Sequence, residues 1–121
     1  MAWTLDARIP ITLVSSPEAL EASLAGRPAA LLAEGGVPEG APSATECFDP
    51  AAAPHLAGCA CCAGRLPAAL ALDRLFQARV RGQVGWFDRV VALAGTEAGR
   101  AEIVAALRED PLTLARYRLS A

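Results

Sequence analysis

The chain has 121 residues, enough for one domain with a modest core, and 54% of them are hydrophobic, which excludes a disordered polypeptide. Its formal net charge is −2, so composition gives no basic footprint for nucleic acid or anionic membrane. All eleven basic residues are arginine, so no lysine is available for a Schiff base or a phosphate-binding loop.

No run approaches the roughly 18 apolar residues that span a bilayer. Met1-Ala2-Trp3-Thr4-Leu5-Asp6 lacks the basic start and apolar run of a signal peptide. The expected compartment is the cytosol, where thiols stay reduced. There, clustered cysteines more often mean metal or redox chemistry than structural disulfides.

In chain order, Ile9 to Val14 is an apolar, β-branched run that reads as a buried strand, with Pro10 near its start. Ser15-Ser16-Pro17-Glu18 follows. The serine, the first-turn proline and the early glutamate form a helix start, with Ser15 and Glu18 at capping-box spacing. That helix runs to about Ala25 and stops at Gly26, and Ala29 to Ala33 makes a second strand. The resulting β-α-β unit favours parallel pairing with a right-handed crossover.

Glu34 to Pro54 changes character. It carries Pro38, Pro42, Pro50 and Pro54 and few large apolar groups, so it reads as a long loop that continues to Cys62. Pro67 sits in the first turn of the longest helix, Leu66 to Arg81, whose stripe is Leu66, Leu70, Leu75, Phe76 and Val80. Arg79 and Arg81 suit its last turn, and Gly82 ends it. Trp86 and Phe87 are expected to pack on the sheet, ahead of a third strand, Arg89 to Ala94. A helix over Glu97 to Glu109 stops at Asp110-Pro111, and Arg116 to Leu119 reads as a last strand with one buried face. The order β-α-β-loop-α-β-α-β predicts a single domain over 1–121. Its fold class is a three-layer α/β sandwich on a small, mostly parallel, four-stranded sheet.

The chemistry is concentrated in one place. The four cysteines and the single histidine, Cys47, His55, Cys59, Cys61 and Cys62, all fall in the long loop over 34–62. Zinc and other borderline-soft metals take thiolate and imidazole ligands, and this set supplies one more group than a tetrahedral site needs. Adjacent Cys61 and Cys62 have diverging side chains, so two of the three clustered thiols with Cys47 or His55 make the natural set. The start of the following helix and the charge of Arg65 both favour thiolate. The same features suit a reversible disulfide between Cys47 and the cluster, which is the redox or regulatory alternative. A bland reading remains for His55 as a loop histidine, and Glu34, at the end of its strand before Gly35-Gly36, reads either as a solvated loop acid or as a side chain that reaches a site at the carboxyl end of the sheet. No Ser-His-Asp arrangement or distinctive carboxylate pair points to an enzyme.

Gly58-Cys59-Ala60-Cys61-Cys62, then a helix, then Phe87-Asp88-Arg89-Val90-Val91, resembles the CobW-type metallochaperone GTPases, whose metal loop carries a glycine and Cys-x-Cys-Cys. Ile9 to Val14 is similar to that family's first strand, and Ala30 to Gly36, with Glu34-Gly35-Gly36, to its second strand and acidic turn. Asp110-Pro111 through Tyr117-Arg118-Leu119 is similar to its approach to a further strand. The resemblance implies a truncated P-loop-GTPase-like scaffold and a zinc or related transition-metal cargo.

The phosphate loop of that family is missing. Ser15-Ser16-Pro17-Glu18-Ala19-Leu20 stands in its place without glycine or lysine, and Glu18 adds negative charge where phosphate would sit. The acidic residue due after the Val90-Val91 strand is also missing. The expectation is therefore a non-enzymatic metal-binding protein that binds no nucleotide and buffers metal or passes it to a protein partner. A structural interaction module is the other alternative, with a homodimer formed through the exposed edge at Arg116 to Leu119.

Overall fold

A computed structural model describes residues 7–50 and 65–120. Strand β1 (Ile9–Val14) is followed by helix α1 (Pro17–Leu24), β2 (Ala30–Glu34), β3 (Thr45–Phe48), α2 (Pro67–Val80), β4 (Val90–Leu93), α3 (Glu97–Glu109), α4 (Pro111–Arg116) and β5 (Tyr117–Leu119). The five strands form one sheet in the order β3-β2-β4-β1-β5. Every pairing is parallel.

Strands β2 and β4 are apolar over nearly all their length because helices cover both faces of the sheet there, whereas Thr12 leaves one face of β1 exposed. In β4, Val90 stands opposite Ile11 of β1 on one side and Ala30 of β2 on the other. Side chains alternate between faces with the period of the strand. Ile11, Ala30, Leu32, Val90 and Ala92 join Leu72 and Leu75 of α2 and Ile103 and Ala106 of α3 in the larger core. Leu31, Ala33 and Val91 point the other way, onto Leu20 and Leu24 of α1. Tyr117 closes the larger core at the β5 edge, where its buried hydroxyl donates to the Leu72 carbonyl at 2.8 Å. Burial holds this phenol well above the ordinary tyrosine range.

The α/β class and the parallel sheet match the sequence expectation, but the sheet has five strands where four were expected. The additional strand, β3, lies inside the segment read as an uninterrupted loop. Thr45-Glu46-Cys47-Phe48 has no aliphatic run to announce it. It is a strand because it completes the free edge of β2, with register from Leu31↔Thr45 to Glu34↔Phe48. Backbone bonds from Leu31 to the Ala44 carbonyl and from Gly35 to the Phe48 carbonyl, both 2.8 Å, bracket it.

Helix α4 is the second addition. Asp110 ends α3 and caps α4 at once: its Oδ2 accepts from the Thr113 amide at 3.0 Å and from the Thr113 hydroxyl at 2.8 Å, and Pro111 follows in the first turn. At α1 the cap is Ser16 rather than Ser15, since Ser16 Oγ accepts from the Ala19 amide at 3.1 Å. Gly26, at φ 97°, turns the chain after α1 in a conformation that side chains resist. Trp86 departs from its expected packing: Phe87 is buried in the core, whereas Trp86 is 68% exposed. Adjacent residues in extended chain point opposite ways, so burying one aromatic turns the other outward. No helix among the described residues is long and apolar enough to cross a membrane.

Candidate functional site

In a parallel sheet all strands deliver their following residues to one edge, which makes the carboxyl edge the usual place for ligands. Here that edge gathers Ser15 and Ser16 after β1, Glu34 at the end of β2, Asp49 and Pro50 after β3, and Gly95 and Thr96 after β4. The start of α2 lies at the same edge, so the described residues on both sides of 51–64 converge on it. His55, Cys59, Cys61 and Cys62 lie outside the described residues.

Glu34 reaches across the edge to the start of α3. Its Oε1 accepts from the Thr96 amide at 3.0 Å and its Oε2 from the Thr96 hydroxyl at 2.5 Å, while Thr96 Oγ1 in turn accepts from the Gly99 amide at 3.0 Å. The acid is therefore engaged at the positive end of a helix while it stays partly exposed. Gly99 makes this possible, because a Cβ at that position would overlap the Glu34 carboxylate.

Helix α2 begins without a side-chain cap of its own, since its N-cap residue is Leu66. Glu102 supplies the missing acceptor from α3: its Oε2 takes the Ala68 amide at 2.9 Å. Burial raises the Glu102 pKa, the Ala68 bond opposes the rise, and the charges of Asp49 and Glu34 add to it. Three carboxylates thus share the potential at this edge, and the start of α2 already holds one of them.

Arg65, three residues after Cys62, is held next to that point. Its guanidinium grips Asp110 with two bonds of 2.9 Å and lies 3.6 Å from Asp73, which also pairs with Arg116. Only 18% of the Arg65 side chain and 11% of that of Asp110 are exposed. This corrects the sequence reading of Arg65 as a charge available to the thiols. Its charge is spent on two carboxylates, and an arginine gripping a carboxylate with two parallel bonds projects little net field outward.

Cys47 is the one site residue among those described. It sits in β3 with a half-buried side chain packed against the Leu20, Leu31 and Ala33 cluster, on the α1 face of the sheet. Its neighbour Phe48 belongs to the core on the α2 face, and the Glu46 carboxylate meets Arg74 of α2 at 2.5 Å. Burial pushes the Cys47 thiol up, the Glu46 charge adds to the rise, and Arg74 opposes both. Among the described residues, no three His, Cys, Asp or Glu side chains are arranged to hold a metal ion. The chemistry of the full donor set, four thiols and an imidazole, fits zinc.

Sequence reasoning missed Glu102, Thr96 and Gly99 as organisers of this edge, and Asp110 as the carboxylate that holds Arg65. Thr96 followed three positions later by Gly99, and Asp110-Pro111 followed by Thr113, are cap spacings that could have marked two of them. Glu102 acts through a contact between helices, for which sequence spacing carries no sign.

Fold and edge together define a small parallel α/β protein whose carboxyl edge frames a cysteine-rich connection. No family model, no curated protein and no solved structure matches the chain.

Proposed function

We propose that this is a non-enzymatic transition-metal-binding protein of the cytosol, with zinc as its first candidate cargo. It takes the ion through Cys47, His55, Cys59, Cys61 and Cys62 and buffers it or passes it to a protein partner. One observation carries the reading: every thiol of the chain and its single imidazole fall between Cys47 and Cys62, on a connection whose flanks meet at the carboxyl edge of a parallel sheet.

Two features favour metal over reversible disulfide chemistry. Glu34, Asp49 and Glu102 place negative charge at this edge, which favours a cation over uncompensated thiolates. Cys47 has a raised pKa, which slows thiol exchange, whereas a metal ion displaces the thiol proton directly. The scaffold is read as P-loop-GTPase-like, with β1 beside β4 within the sheet. Ser15 to Glu18, after β1, form a serine-capped helix start with an acid in the first turn, a poor seat for phosphate.

The test is metal analysis of reduced protein purified without chelator, followed by zinc and cobalt titration. The expected result is about one ion per chain and a cobalt spectrum with thiolate charge-transfer bands in tetrahedral geometry. Protein that carries no metal and takes up neither ion would overturn the reading.

A further inference from the structure

At the amino end of the sheet, away from the thiol flanks, the chain forms a second feature. A cleft of about 340 Å³ opens where the backbone enters β2, β3 and β4. Its wall includes Leu24, Pro28, Pro42, Phe87, Trp86 and Arg27. Trp86 is a large apolar side chain that folding leaves 68% exposed. It is also held in place: the Arg79 guanidinium carbon lies 3.6 Å from the centre of its ring, a close cation–π stack. An indole fixed before binding loses little freedom on contact with a partner.

Arg27 is the charged residue on the cleft wall, where the lining residue Gly40 follows Glu39, and the segment after α2 adds an excess of arginine beside it. Residues 79–89 contain Arg79, Arg81 and Arg89 against a single acid, Asp88. Arg27 stands on the wall with 67% of its side chain exposed, and its contact with Asp88 is a loose 3.9 Å. Arg89 donates to the Ser23 and Arg27 carbonyls at 2.6 Å each, which brings a further positive charge to the same rim. The ends of α1 and α2 contribute partial negative charge here, and arginine near a helix end commonly offsets it. That offset accounts for the arginines alone. It does not account for a rigid, exposed tryptophan beside an open apolar cleft, a combination typical of the anchoring residues of protein interfaces.

We propose that this cleft docks an acidic segment of a partner protein. One apolar or proline side chain of the segment enters against Trp86, and its carboxylates meet Arg27 and the neighbouring arginines. The volume suits one or two side chains rather than a folded surface.

The proposal is independent of metal binding and is tested apart from it. The probe is a dye-labelled peptide of alternating glutamate and proline with one central phenylalanine, followed by fluorescence anisotropy. A saturable rise is expected, weakened about tenfold by Trp86→Ala or Arg27→Glu, less by Trp86→Phe, and reduced by added salt. Circular dichroism confirms that each variant is folded. Replacing Cys59, Cys61 and Cys62 together with serine should leave the binding unchanged. The proposal is overturned by the absence of a saturable rise, by equal binding of the same peptide with lysine for glutamate, or by variants that bind like the parent. Displacement of the peptide by a lower concentration of a single-stranded oligonucleotide overturns it as well.

Discussion

The Glu102 carboxylate of α3 accepts the backbone amide of Ala68, 2.9 Å away at the start of α2. One helix thus caps another, and the capped start lies only a few residues beyond Cys62. Replacing Glu102 with alanine leaves that amide without its partner and should cost about 1–2 kcal/mol, while glutamine, which keeps the acceptor oxygen, should cost less. The pKa of Glu102 is raised in the folded state, chiefly by burial. The folded state therefore binds the proton more tightly than the unfolded one. This group's contribution to stability falls as pH rises from its unfolded pKa through its folded pKa. Urea melts across the acid range should show that component in the parent protein and lose it in Glu102→Gln.

Glu34 and Gly99 give a prediction with a change of sign. Alanine is a better helix former than glycine by about 1 kcal/mol, so Gly99→Ala would ordinarily stabilise α3. Here the new methyl group drives the Glu34 carboxylate off Thr96, with the loss of two hydrogen bonds. The net effect should be destabilising by about 1 kcal/mol. In a Glu34→Ala background the obstruction is gone and the same substitution should stabilise. A double-mutant cycle on thermal unfolding measures the difference, and simple additivity would rule out the contact.

How much of this was legible in the sequence follows from where each signal resides. Ala30 to Ala33 announces a buried parallel strand because both of its faces are covered, so each residue is apolar; Ile9 to Val14 reads the same way, although Thr12 on one face is exposed. Thr45 to Phe48 carries no such mark: an edge strand pairs on one side only, and Glu46 and Cys47 satisfy it as well as valines would. Trp86 was misread because hydrophobicity does not say which of two adjacent aromatics turns inward. At the site, the thiols and the histidine are visible by residue type alone. The Glu34–Thr96 and Glu102–Ala68 bonds join residues 62 and 34 positions apart, and nothing local in either partner encodes them.

Cys47 offers a test of which thiols share an ion. Its half-buried, proton-retaining thiol should react slowly with iodoacetamide in the native metal-free protein. If it is a ligand, zinc should slow that reaction by a further factor of about ten or more, as mass spectrometry of the labelled peptide would show. Zinc that protects the Cys59 to Cys62 peptide and leaves the Cys47 rate unchanged would remove Cys47 from the site.

Arg65 links the stability of the scaffold to the proposed metal site. Its two bonds to Asp110 fix the chain just before α2, and three residues of chain place Cys62 within about 11 Å of it, measured between Cα atoms. Burial alone would raise Asp110. The Arg65 hydrogen bonds and those from Thr113 outweigh burial and hold its carboxyl below the usual range. That lowered pKa contributes stability above the unfolded pKa, and the contribution is lost as pH falls through the folded pKa, which gives an acid-labile component opposite in sign to that of Glu102. Arg65→Ala should destabilise the fold by about 2–3 kcal/mol by stranding a nearly buried carboxylate, and should abolish most of this acid dependence. Arg65→Lys keeps the charge but lacks the planar fork, and should recover only part of the loss. In a chelator competition at neutral pH, where Arg65→Ala remains folded, its zinc affinity should fall by about threefold or more because ordering the thiol flank now opposes binding. An unchanged zinc affinity alongside the expected loss of stability would separate the two roles and leave Arg65 as an anchor of the α2–α4 contact alone.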